Sequence, residues 1–291
     1  MATRQWGSRK NSLTGSLLGQ ALFMMLLGGL CFGTVGCGQS RGNNKSVENV
    51  ADGDLKPDYA NAAKIYAQLG LAYLSQGQVV RAKDKLTSAL KYGPKNAEVI
   101  SAWGIYWEQV GDIKESNTFH EKALRLAKPD QKSMVYDAYG SFLCRQGKWH
   151  EAQQAFKQAL SDRQSLKLPF VYESAGLCAA NTQHIKEAEE YLTRAVQMDN
   201  QRSRAALALS QLKIKQGDFV SAAKWLGQYD KYGPQTARSV LSALQIAEGL
   251  HQTDQIHHLE LLFKRSFYNT PEYLEYRQNM KTAKTDFQGQ S

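Results

Sequence analysis

Small and apolar positions recur along the chain with a nearly constant period. Leu69-Gly70, Trp103-Gly104, Tyr139-Gly140 and Ala175-Gly176 are spaced by 34, 36 and 36 residues. Gly77, Gly111 and Gly147 follow the first three of these glycines by seven residues, where a turn is needed, and Ala89, Ala123, Ala159 and Ala195 follow all four by 19. The stretches between are rich in Ala, Leu, Lys, Gln and Glu, which favours helix over sheet. Each period therefore predicts two antiparallel helices. Helices packed about 8 to 10 Å apart need small side chains where they cross, and Gly70 and Ala82 supply them in the first period.

A period near 34 with this pattern resembles the tetratricopeptide repeat. In the first repeat Tyr66, Leu69, Gly70, Tyr73, Ala82, Leu86, Ala89 and Pro94 fill all the consensus positions. The second keeps Ile100, Trp103, Gly104, Trp107 and Ala123, but Ser116 and His120 depart on its second helix. The third has Tyr136, Tyr139, Gly140, Leu143, Gly147, Ala152, Phe156 and Ala159; the fourth has Tyr172, Ala175, Gly176, Ala188, Leu192 and Ala195, with Gln183 in place of the turn glycine. A degenerate fifth, Arg204 to Pro234, keeps Leu209, Gly217, Ala222 and Leu226 but puts Ser210 at the glycine position and Tyr229 at the last alanine. A sixth helical pair is expected at about 237–248 and 253–267, without the consensus, as terminal repeats that cap a stack often are. Thr270-Pro271 then reads as an N-cap with proline at the first helical position, opening a short helix to about Lys281. The expected fold is all-α, a tetratricopeptide superhelix of about six helix pairs over residues 58–281, with 282–291 a polar tail.

Composition agrees with a globular body: 42% of residues are apolar and 22% charged, close to the usual balance. The formal charge is +9, and +6 without residues 1–36, which carry Arg4, Arg9 and Lys10 and no acid. No Lys/Arg cluster is dense enough to argue for nucleic acid. The uncharged run ALFMMLLGGLCFGTVG, Ala21 to Gly36, is shorter than the roughly 20 residues of a bilayer span and suits the core of a signal peptide. Thr34, Val35 and Gly36 before Cys37 resemble the lipobox of bacterial lipoproteins, although Thr34 stands where that family usually has Leu. Cys31 is a poorer match, with Leu30 at the small-residue position. The resemblance implies a signal peptide over 1–36, lipidation of Cys37 and, with Gly38 and Gln39 rather than an Asp retention signal, an outer-membrane protein facing the periplasm. An uncleaved N-terminal anchor helix is the other reading of the same run; either tethers the chain to a membrane. Residues 37–57 read as a flexible linker, rich in Gly, Asn, Ser and Asp, whose coil spans about 25 Å.

The search for catalytic chemistry turns up no nucleophile elbow, no zinc-protease helix and no phosphate-cradling loop. No catalytic residue, cofactor or metal is expected, and the clustered His251, His257 and His258 read as solvated surface. Cys144 and Cys178 fall on the first helices of adjacent repeats. They could pair in an oxidising compartment, but Cys144 sits two positions further along its helix, about 3 Å in rise and 200° in direction, so free buried thiols are expected.

A stack of such repeats curves, with the first helix of each pair on the concave side. By resemblance to other tetratricopeptide proteins, the wall includes Leu71, Leu74, Ile105, Met134, Phe170, Leu177, Leu207 and Ile214. It also includes the charged Lys64, Glu98, Glu108, Asp137, Glu173 and Arg204. An apolar strip edged by charge suits a peptide segment of another protein.

From residue 58 to about 280 the chain resembles one family closely, the tetratricopeptide lipoproteins of type IV pilus biogenesis and stability, the pilotins. The resemblance rests on YAQLGLAYLSQGQVVRAKDKLTSALKYGPKNAEV, YGSFLCRQGKWHEAQQAFKQAL, the spacing through YESAGLCAANTQHIKEAEEYLTRAV, GPQTARSVLSALQIAE and TPEYLEY. It implies a protein partner, the pilus secretin, held in the groove, and a membrane tether at Cys37 that escorts it to the outer membrane. A general periplasmic scaffold, such as a cell-wall synthesis adaptor, would share the anchor and the repeats.

Overall fold

The computed structural model describes residues 58–163 and 165–288. The expected signal peptide 1–36, the lipidation site Cys37 and the linker 37–57 lie outside the described residues, as do the last three positions of the tail.

Among the described residues thirteen helices follow one another and no strand occurs. They form six pairs: α1 (Tyr59–Ser75) with α2 (Val79–Tyr92), α3 (Ala97–Gln109) with α4 (Ile113–Leu126), α5 (Pro129–Arg145) with α6 (Trp149–Ala159), α7 (Leu168–Asn181) with α8 (Ile185–Met198), α9 (Ser203–Lys215) with α10 (Phe219–Tyr232), and α11 (Ala237–Gly249) with α12 (Thr253–Phe267). A closing helix, α13 (Pro271–Gln288), runs past residue 281, where the sequence places its end. Each odd-numbered helix packs on the odd-numbered helices before and after it. The first helices of the pairs therefore make a continuous wall.

Short polar side chains start several helices by accepting backbone N–H bonds that no preceding turn can satisfy. Asp58 accepts from Asn61 at 2.9 Å, Asp112 from Glu115 at 3.0 Å and Asp218 from Ser221 at 3.0 Å. Thr270 accepts from Tyr273 at 3.3 Å, ahead of Pro271. The corner inside each pair is a residue in the left-handed region: Gly77, Gly111, Gly147 and Gly217 at φ of 71°, 89°, 74° and 75°. Gln183 and His251 occupy the same corner at 63° and 55°. A side chain there costs about 1–2 kcal/mol, so the packing of the fourth and sixth pairs imposes the corner on residues that resist it.

Within a pair, a glycine of the first helix faces a large residue 16 positions later on the second. A Cβ placed on Gly70 would lie 2.7 Å from Leu86, one on Gly104 2.8 Å from His120, one on Gly140 3.0 Å from Phe156 and one on Gly176 2.6 Å from Leu192. At Gly70, Gly104 and Gly176 these distances are shorter than van der Waals packing permits, and at Gly140 a side chain would fit only if Phe156 gave way. In the fifth pair Ser210 fits because it is fully buried and its hydroxyl donates to the carbonyl of Ala222 at 2.9 Å. The second pair solves its own departures in a related way. Ser116 is fully buried and donates to the carbonyl of Gly104 at 2.8 Å.

His120 occupies the site that Leu86, Phe156 and Leu192 hold in neighbouring pairs, fully buried against Tyr139 and Phe142. Neither ring nitrogen has a hydrogen-bond partner. Burial, reinforced by the Arg145 charge, pushes its pKa from 6.5 down to about 4. With the folded value below the unfolded one, the unfolded chain binds the extra proton first, so this group costs stability as pH falls from 6.5 towards 4. His120→Leu should therefore be more stable than the parent at pH 7.5, and its advantage in urea unfolding should widen by about 2 kcal/mol at pH 5.0.

Candidate functional site

The odd-numbered wall holds a furrow of about 790 Å³ between α1, α3, α5, α7 and α9. Five of the eight apolar wall residues named from the sequence line it together: Leu71, Ile105, Met134, Phe170 and Leu177. All five are half-buried, so they present apolar surface without being sealed. The other three are placed differently. Leu74 is only 6% exposed, because the packing of α3 on α1 draws it into the core with Ala67, Leu86 and Trp103. Leu207 and Ile214 on α9 are half-buried against the adjoining core and do not line the furrow; from α9, Arg204 does.

The charged residues also depart from the expected edge. Lys64 and Glu98 are half-buried and lie outside the furrow lining, whereas Asp137 and Glu173 are 4% and 5% exposed, beneath the wall. Residues three before the crossing glycine point inward here, and helix periodicity places both acids at that position. Glu108 forms a two-pronged pair with Arg145, at 2.7 and 2.6 Å. Arg204 reaches Glu173 at 3.4 Å. Burial raises the Glu173 carboxyl, and the Arg204 and Arg202 charges oppose it. Burial pushes Asp137 up to about 7, against the Ser174 hydroxyl and the Arg145 charge, with Glu173 adding to the rise. One Asp137 oxygen, Oδ1, makes no hydrogen bond.

Cys144 and Cys178 are not free thiols. They form a disulfide between α5 and α7, with their Cα atoms 5.8 Å apart, and both line the furrow. The offset of two positions within the repeat did not keep them apart, because successive first helices do not pack in step: the linked residues are 34 apart where the local period is 36. Equivalent repeat positions are thus not the ones that touch. Arg145, Ser174 and Asn181, which the sequence did not single out, also line the furrow. The only sequence signal for them is their place on the inward stripe of a first helix.

A hollow of about 550 Å³ elsewhere is lined by Tyr172 and by the charged or polar Lys186, Glu189, Glu190, Thr193, Arg194 and Gln197. His251, His257 and His258 are exposed. Among the described residues no group of three or more His, Cys, Asp or Glu is placed to hold a metal ion. No described helix is long and apolar enough to cross a membrane. The furrow offers apolar contact, ion pairs and one unpartnered carboxyl oxygen, a set suited to holding another chain.

Comparison with known proteins points the same way. A tetratricopeptide repeat family matches residues 182–245. The chain is 28% identical over 233 residues, 78% of its length, to the type IV pilus assembly protein PilF of Pseudomonas aeruginosa, of which it covers 92%. It is 31% identical over 146 residues, 50% of its length, to an uncharacterized protein of Haemophilus influenzae, of which it covers 80%. A solved structure of Pseudomonas aeruginosa PilF superposes with a TM-score of 0.62 at 27% identity, covering 76% of this chain and 99% of that one. That of PilW, a type IV pilus biogenesis factor, gives 0.62 at 23% identity over 74% and 97%, which supports the fold.

The disulfide closes a loop of 34 residues in sequence, for which chain entropy gives about 3 to 4 kcal/mol of stabilisation. Dithiothreitol should lower the urea midpoint of the parent chain by a corresponding amount. The double variant Cys144→Ser, Cys178→Ser should show the lower midpoint with or without reductant.

Proposed function

The chain belongs to the tetratricopeptide-repeat family of type IV pilus biogenesis proteins, and on that premise we propose that it is a lipid-anchored pilotin that holds a segment of the pilus secretin in its furrow. The observation that carries this reading is the row Leu71, Ile105, Met134, Phe170 and Leu177, set side by side on four successive first helices and accessible from one side. Apolar surface on a rigid concave wall binds an extended or helical segment of another protein through burial of its side chains. The all-helical repeat scaffold is typical of protein-interaction domains.

The lipid tether adds a second element. Three acyl chains at Cys37, each buried methylene contributing about 0.8 kcal/mol, would anchor the protein for good. Tethering raises the effective concentration of the furrow at the membrane, so a modest intrinsic affinity suffices to deliver the partner. The Cys144–Cys178 bridge supports export, since such bonds persist in oxidising compartments.

In immunoprecipitates from membranes the secretin should be the dominant partner, and Leu71→Glu with Ile105→Glu should reduce its recovery about tenfold with helicity by circular dichroism unchanged. Full recovery with the double variant would place the contact elsewhere; dominance of a cell-wall synthase would favour a general periplasmic scaffold. Cys37→Ser should leave a folded protein that no longer sediments with the outer membrane, and normal fractionation of that variant would count against lipid anchoring.

A further inference from the structure

Two carboxylates line the furrow, Glu108 on α3 and Asp137 on α5, and a third, Glu173 on α7, lies buried beneath it and is tied to the furrow residue Arg204. Only two cations answer them. Arg145 pairs with Glu108 and Arg204 with Glu173, and these arginine side chains are 51% and 71% exposed, reaching down from the rim. Asp137 is in neither pair; the Ser174 hydroxyl and the Arg145 charge favour its ionised form, but they leave one oxygen unmet. Asp137 lines the furrow while only 4% exposed, and its Oδ1 has neither a hydrogen-bond partner nor access to water. A buried carboxylate without a full set of partners is costly, and a turn of the Asp137 side chain toward the furrow would let a ligand supply the missing donor and remove that cost.

We propose, resting on the furrow as the binding site, that Asp137 receives the side chain of a lysine or arginine carried by an otherwise apolar segment of the partner. The surroundings set the pattern of that segment. Met134 stands one turn before Asp137 and Phe170 one turn before Glu173, while Leu177 stands one turn after Glu173. Residues three and four apart share a helix face, so Met134 on α5, with Phe170 and Leu177 on the adjoining α7, sets apolar surface around Asp137. A turn rises about 5.4 Å, close to the distance between alternate residues of an extended strand, about 6.6 Å. An extended segment with apolar residues two places before and two places after the cation therefore fits. The aliphatic stem of lysine or arginine suits this place, because it lies along apolar surface while its charged end reaches the acid. The furrow lining holds two acids, Glu108 and Asp137, and two bases, Arg145 and Arg204, so a cation is called for by the unmet Asp137 oxygen and not by net charge.

The test uses the purified full chain in detergent at pH 8 and fluorescein-labelled decapeptides with leucine at positions −2 and +2 around a central lysine, norleucine or glutamate, read by anisotropy. The lysine peptide is expected to bind at least tenfold more tightly than the norleucine peptide, and the glutamate peptide most weakly. Asp137→Asn, which keeps the size and removes the charge, should reduce the lysine preference to under twofold while leaving norleucine binding in place. Should that variant fail to fold, the peptide series on the parent chain decides alone. Equal binding of lysine and norleucine peptides, or a lysine preference that survives in folded Asp137→Asn, would overturn the proposal. If both peptides bind equally and both are lost with Leu71→Glu and Ile105→Glu, the furrow reading stands and the cation site falls. If none of the peptides binds, both fall together.

Discussion

The close approach of two helices within each pair is the constraint on which the rest of the molecule depends. Where Gly70, Gly140 and Gly176 cross the second helix, the space a side chain would need is already filled by Leu86, Phe156 and Leu192. This contact sets the distance between the helices of a pair and so fixes which face of the first helix is left to meet the next pair. Repeated along the chain, it aligns the first helices into one wall. A furrow along that wall follows from the stacking of the pairs and needs no binding loop of its own.

The furrow combines two environments that usually exclude each other. Its apolar row is half-exposed, which a monomer tolerates only over modest areas, while the acids beneath are withdrawn from water. The arginines that answer them come from the rim and keep most of their length in solvent. Charge compensation is therefore borrowed from side chains that a ligand can displace. The second pair shows the same tolerance for polar groups in the interior, since His120 takes a leucine-like position only by remaining neutral.

Much of this was legible because the repeat is a one-dimensional pattern. The crossing glycines, the turn glycines and the alanines 19 residues on identify each pair, and even the sixth, which lacks the consensus, was bounded to within a residue or two by its apolar spacing and Thr270-Pro271. Gln183 shows why the period is a stronger signal than residue preference: it takes a left-handed corner because its neighbours on both helices require one. The site was less legible. Leu71, Ile105, Met134, Phe170 and Leu177 follow from repeat position, but Leu74 does not, because its burial depends on how α3 settles on α1. The Cys144–Cys178 bond was misread for the same reason. Repeat numbering describes a residue's place in its own pair, whereas contact between pairs depends on the offset between helices, which the pattern does not contain. Asp137 and Glu173 were seen as charges but not as buried ones.

The bridge between α5 and α7 lies near the middle of the six pairs. In a linear array each unit is held chiefly by its neighbours, so disruption starts at the ends and travels inward. Here a covalent rivet joins the third unit to the fourth, and an unzipping front from either terminus arrives at a seam that cannot part. The stretch of wall that carries Met134, Asp137, Phe170 and Leu177 is thus the last to lose its shape, and a partner seated there is gripped by the most persistent part of the molecule.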